Sequence, residues 1–217
     1  MSLLECLVGL ALCMLLLNPL IKSSADVLVK QMEYEKTQAL ISEADRAFEL
    51  MGRAIRMAAY RNMKSPQKTK NAKGQKNANN QYLEIRKGGG YRGSDSLFIR
   101  HELSDGVDFD CIGNALAQER TKNQLSFQGF IVERQAALPK GAKTNGGSLI
   151  CQSLDRQGRI QNTTLMNSVN GLFIDELQTS HDQARDGQKL FEVTLLMTDG
   201  AHLNMTLKRS FATRNFL

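Results

Sequence analysis

The first twenty-one residues, MSLLECLVGLALCMLLLNPLI, are apolar except for Ser2, Glu5 and Asn18. About 20 residues of helix cross a hydrocarbon layer of about 30 Å, so the run predicts one membrane-spanning helix. A secretory signal is the competing reading, but such a signal opens with positive charge and ends at a small-residue cleavage site. Here no Lys or Arg precedes Lys22, and NPLIKSS is a poor cleavage site. A retained helix is therefore expected. Glu5 stands out within it, because an ionised carboxylate in an apolar helix costs several kcal/mol unless it is paired. Either it lies at the membrane interface, near the helix end, or it meets a cation, of which a free α-amino group is the nearest candidate.

The helical pattern continues past the apolar run. From Ala25 to about Met63 the chain has no proline and only Gly52 as glycine. Leu40, Ala44, Ala47, Phe48, Met51, Ile55, Ala58 and Ala59 recur at three- and four-residue steps, as on an amphipathic helix that faces a core. Pro19 is expected to kink or locally break the helix. Unbroken, about 60 residues would make a rod of roughly 90 Å.

After residue 80 the period shortens. Strand-like runs fall at 82–86, 95–103, 125–134, 147–154, 158–165, 171–180, 189–198 and 202–211, and TDGAH at 198–202 supplies an Asp-Gly hairpin turn. Strands following one long helix predict an α+β fold, with the helix packed on an antiparallel β-sheet head. The expected organisation is 1–24 membrane or filament-core helix, 25–63 amphipathic helix, 64–81 basic loop and 82–217 β-rich head.

Composition refines this picture. With 217 residues, 41% of them apolar, the chain can build a core; it is not a polytopic membrane protein, a disordered chain or a disulfide-dense miniprotein. Trp is absent and aromatics make up 6%, which argues against a carbohydrate-binding aromatic surface. The net charge of +6 is matched by one segment, 61–80, whose Arg61, Lys64, Lys68, Lys70, Lys73 and Lys76 have no acid among them. Such a run reads first as a solvated loop, and secondly as a contact for nucleic acid or phospholipid. No aromatic interleaves it, which weakens single-strand binding.

No catalytic constellation emerges. Gly88, Gly90 and Gly93 match G-x-G-x-x-G, but a strand-like run follows where a dinucleotide site needs a helix. A glycine loop between two strands explains them. His101, His181 and His202 lack metal-ligand spacing, and Asp105, Asp108 and Asp110 lack the full calcium-loop pattern and suggest a turn before a strand. There is no Ser/His/Asp set, C-x-x-C or phosphate loop, so neither an enzyme nor a cofactor is expected.

A short apolar start with Glu at position 5, followed by a long helix into a β-rich head, resembles a mature type IV pilin or pseudopilin. RAIRMAAYR (53–61), DSLFIRHE (95–102), CIGN (111–114), ICQSLDRQGRIQ (150–161), VNGLFIDELQ (169–178) and FATRN (211–215) are similar to segments of PilW-type minor pilins, in the same order. The resemblance implies that Glu5 pairs with the methylated N-terminal amine at Met1 of a neighbouring subunit, while residues such as Leu7, Val8 and Leu10 pack in the filament core. It also implies a short basic leader, ending in Gly, that is removed before assembly.

The implied role is a minor pilin that primes or caps a type IV pilus. Its partners would be other minor pilins, the major pilin and a tip adhesin. Its location would be the bacterial inner membrane, with the head in the periplasm, and then the surface fibre. The alternatives are a J-like minor pseudopilin of type II secretion, a competence-pilus subunit that holds DNA through Lys64, Lys68, Lys70, Lys73 and Lys76, and a single-pass anchor protein with no filament. Cys6 and Cys13 lie about 10 Å apart along one helix and cannot bridge each other there. In an oxidising periplasm Cys111 and Cys151 are expected to pair, closing a loop worth roughly 3–4 kcal/mol; two buried free thiols are the other reading.

Overall fold

One long helical stretch is followed by a run of strands, as the sequence suggests, and the computed structural model describes residues 3–62, 82–136, 146–177, 188–200 and 203–214. Two compact units result, 1–42 and 43–217. Helix α1 (Leu3–Met57, 55 residues) contributes to both and is not interrupted at Pro19.

The first unit is helix throughout its described residues. Its side chains reach neighbours one turn away: Gln31 donates to Glu35 at 3.0 Å, and the Thr37 hydroxyl donates to the Glu33 carbonyl at 2.8 Å.

The second unit takes the helix from Glu43 onward and lays it on a seven-stranded antiparallel sheet whose strand order follows the chain. The strands are β1 (Leu83–Arg86), β2 (Ser96–Glu102), β3 (Leu125–Arg134), β4 (Gly147–Leu154), β5 (Ile160–Leu177), β6 (Leu190–Thr198) and β7 (Asn204–Ala212). Alternation sorts each strand into two faces. Leu97 and Ile99, Phe130 and Val132, Leu149 and Cys151, and Val193 and Leu195 are essentially sealed from solvent. Ala44, Ala47, Phe48, Met51, Ala54 and Ile55 oppose them from the helix. A fully buried side chain of this size contributes about 1.5–3 kcal/mol, so this layer holds the unit together.

Two local devices fix the packing. At Gly52 an added Cβ would sit 2.4 Å from Cε1 of Phe211, so the missing side chain lets helix and β7 approach. At the other side of the sheet, the Asp95 amide donates to the Leu172 carbonyl at 2.7 Å, and the Ile174 amide donates to the Asp95 carboxylate at 2.9 Å. These bonds join the start of β2 to β5, so the sheet curls.

Several expectations need correcting. The helix ends at Met57, not near Met63. Ala59 turns left-handed at φ 59°, its amide donates to the Arg100 carbonyl at 3.3 Å, and the Glu102 amide donates to the Tyr60 carbonyl at 2.9 Å. The backbone thus leaves the helix to run beside β2. The two strands expected at 158–165 and 171–180 are one strand of 18 residues. It pairs with β4 along its first half and with β6 along its second, with register shifts on both sides. The Asp105–Asp110 stretch does not lead straight into a strand. It belongs to an irregular loop carrying a short 3-10 helix (Gln118–Arg120) before β3. The glycine loop does join β1 to β2, and the Asp199–Gly200 turn does join β6 to β7. The basic stretch 64–81 lies outside the described residues.

Candidate functional site

The largest chemical anomaly is in the first unit. Leu7, Val8, Leu10, Leu12, Leu15, Leu16, Leu17, Leu20 and Ile21 each expose half or more of their surface. This helix is long and apolar enough to cross a membrane. Covering each such side chain is worth about 1.5–3 kcal/mol. The run as a whole is therefore worth about as much as the roughly 5–15 kcal/mol by which a domain is stable, which is a strong drive for it to be covered. Apolar exposure does not end at Lys22. Val27, Leu28, Val29, Met32 and Tyr34 are also exposed, among the charges of Asp26, Lys30 and Glu33.

Glu5 belongs to the first turns of α1. Its side chain, that of Cys6, and Met1 lie outside the described residues, as do Lys64, Lys68, Lys70, Lys73 and Lys76. At the border of the basic segment Arg61 is exposed and stands over the Tyr82 ring, 5.4 Å from its centroid. Cys13 is exposed on the helix with a free thiol.

Cys111 and Cys151 are brought together and bonded, with their Cα atoms 6.1 Å apart. Cys151 sits on β4, and Cys111 on the loop between β2 and β3. Asp110 next to it is buried and organises that loop. Its carboxylate accepts from the Ile112 amide at 3.0 Å, the Asn114 amide at 2.7 Å and the Ser153 hydroxyl at 2.9 Å. Bridge and carboxylate together pin the loop to β4.

The same loop closes a cavity that the sequence did not suggest. It is lined by Arg53, Arg56, Met57, His101, Asp108, Phe109, Gln128 and Arg214. His101 is 1% exposed. Its Nδ1 lies 2.9 Å from the Glu102 carbonyl, which can only accept, so Nδ1 carries the proton. Burial lowers the His101 pKa below the ordinary imidazole value; the Glu102 carbonyl and Asp108 oppose that, and Arg53 adds to it. The ring is thus neutral near pH 7, and Nε2 is a bare acceptor. Nε2 is buried and has no hydrogen-bond partner among the described residues. Arg53 stacks over Phe109, 5.7 Å from the ring centroid, which holds its charge at the cavity mouth. The available signal was positional: alternation in SLFIRHE puts His101 on the core face with Leu97 and Ile99. Judged by metal-ligand spacing alone, it looked inert.

Among the described residues no group of three or more His, Cys, Asp or Glu side chains could hold a metal ion. Comparison with protein-family models, with curated proteins and with solved structures gives no match.

Proposed function

We propose that the chain is a membrane-inserted structural subunit of a pilin-like filament, in the manner of a PilW-type minor pilin that primes or caps a type IV pilus. The carrying observation is that apolar exposure on α1 runs past the membrane-length stretch to Tyr34 and mixes there with charge. A lipid anchor needs apolar surface only to about its twentieth residue. A helix bundled with like helices needs it further, as a stripe among polar positions. Ala25, Leu28, Val29 and Met32 lie at the three- and four-residue steps that give such a stripe.

The head suits this role. It is a helix-backed sheet in which a disulfide and the buried carboxylates of Asp95 and Asp110 stiffen the loops, as a subunit under tension requires. Glu5 lies in the first turns of α1, where the positive end of the helix dipole favours its charge. Pairing with the N-terminal ammonium of a neighbour offsets the hydration both groups lose, and sets the register between subunits.

The test is Glu5→Leu in cells that assemble the filament. The variant should insert in the membrane at the wild-type level, with fibre incorporation reduced about tenfold or more, since an unpaired buried charge costs about 3–5 kcal/mol. Normal incorporation of the variant would remove the pairing from the account.

A further inference from the structure

Two sets of positions on α1 recur every seven residues. Leu7, Met14, Ile21 and Leu28 form one set, and Ala11, Asn18, Ala25 and Met32 the other, so together they advance by steps of four and three along one face. All eight are exposed. Such a repeat is the seam of helices that coil about each other with a left-handed twist. The signal is carried from Asn18 onward, where polar and apolar positions separate. Lys22, Asp26, Lys30 and Glu33 all fall off the seam, which ends at Glu35. Past about the twentieth residue a hydrocarbon layer no longer covers apolar side chains, yet Leu28 and Met32 keep the repeat.

Asn18 is the one polar side chain on this seam, and it lies inside the membrane-length stretch. Among the described residues nothing bonds its amide. Lipid tails offer it no partner, and an unpaired amide in hydrocarbon is costly. An identical amide does fit, because each group carries both a donor and an acceptor. That match requires position 18 to meet position 18, in helices that are parallel and in register. Copies inserted by one route share their orientation, which makes them parallel. Ala11 and Ala25, one repeat to either side, are small and let the backbones approach until the amides touch. Pro19 supplies a further acceptor beside them, since without an N–H it leaves the Leu15 carbonyl outside the helix ladder.

We propose that α1 pairs in the membrane with α1 of a second copy, parallel and in register over residues 7–32, and that reciprocal bonds between Asn18 and Asn18 of the partner subunit fix the register. A single polar residue at a seam position sets alignment in this way in coiled coils. The pairing rests on the membrane-inserted reading of α1. It does not rest on the filament, in which the Glu5 contact offsets neighbouring chains along their axes.

The test is disulfide scanning of the full chain in membranes of producing cells, with Cys6 and Cys13 replaced by Ala. Single cysteines enter on the seam (Met14→Cys, Ile21→Cys, Leu28→Cys) or on the opposite face (Leu16→Cys, Ser23→Cys, Lys30→Cys). Cys111 and Cys151 are already bonded to each other, so a band at twice the chain's mass reports the introduced thiol meeting its counterpart. Mild oxidation should give about tenfold or more dimer from the seam variants, because a disulfide needs Cβ atoms within about 4.5 Å. Adding Asn18→Leu to Met14→Cys should lower that yield about threefold or more. Equal yields from the two faces, or an unchanged yield with Asn18→Leu, would overturn the pairing while leaving insertion standing. A chain absent from the membrane fraction would overturn the insertion reading and the pairing with it.

Discussion

Replacing Cys111 and Cys151 together by Ala removes the one covalent tie between the 103–117 loop and β4. The two residues are 40 apart in sequence. In the chain-entropy treatment, releasing a loop of that length frees the unfolded state by about 4 kcal/mol at 25 °C. Both positions are buried, at 4% and 0% exposure, so alanine leaves no unsatisfied polar group, and little else changes locally. For a chain of this size one kcal/mol moves the melting point by roughly 2–4 °C, which gives an expected drop of roughly 8–16 °C. The assay is thermal unfolding of the full chain in micelles, followed by the β-sheet signal of circular dichroism. Wild type is measured with and without reductant, beside Cys111→Ala/Cys151→Ala. Reduced wild type should melt with the variant, since Cys6 and Cys13 remain in both. A variant that melts within about 2 °C of oxidised wild type would refute the reasoning, because the bridge would then constrain a loop already held in the unfolded chain.

Two further outcomes follow from the helix–sheet layer and its edge. Ile55→Ala empties a fully buried position between helix and sheet and should cost about 2–5 kcal/mol, whereas Glu49→Ala on the exposed face should stay within about 0.5 kcal/mol; equal melting points for the two variants would contradict the packing. His101 has a folded pKa below its unfolded value of 6.5, so the unfolded chain takes up a proton that the folded chain refuses as pH falls below 6.5. Wild type should therefore lose melting temperature relative to His101→Gln between about pH 7 and 5, and a constant gap over that range would show that the ring is not buried neutral.

Periodicity made most of the architecture readable. The three- and four-residue spacing from Ala44 to Ala58 is the buried face of α1, and alternation located β2, β3, β4, β6 and β7 to within a few residues. The misreadings arose where tertiary pairing overrides local signal. Asn167, Ser168, Asn170 and Gly171 look like a turn, and Ser168 does take a left-handed φ of 64°. Yet β4 and β6 each claim half of β5, and their ladders carry the strand through. Ala58 and Ala59 favour helix locally, but bonds from Ala59 and Tyr60 to β2 end it. The cavity was illegible for another reason. Arg53, His101, Asp108 and Arg214 come from α1, β2, a loop and the residues after β7, and no spacing along the chain announces that they meet.

Mass spectrometry of fibres sheared from the surface of producing cells, beside the membrane fraction of the same cells, tests the central claim most directly. The account predicts that the chain is recovered in the fibres together with other subunits that share an apolar N-terminal helix. Recovery in membranes alone, with no such partner on pull-down, would contradict it.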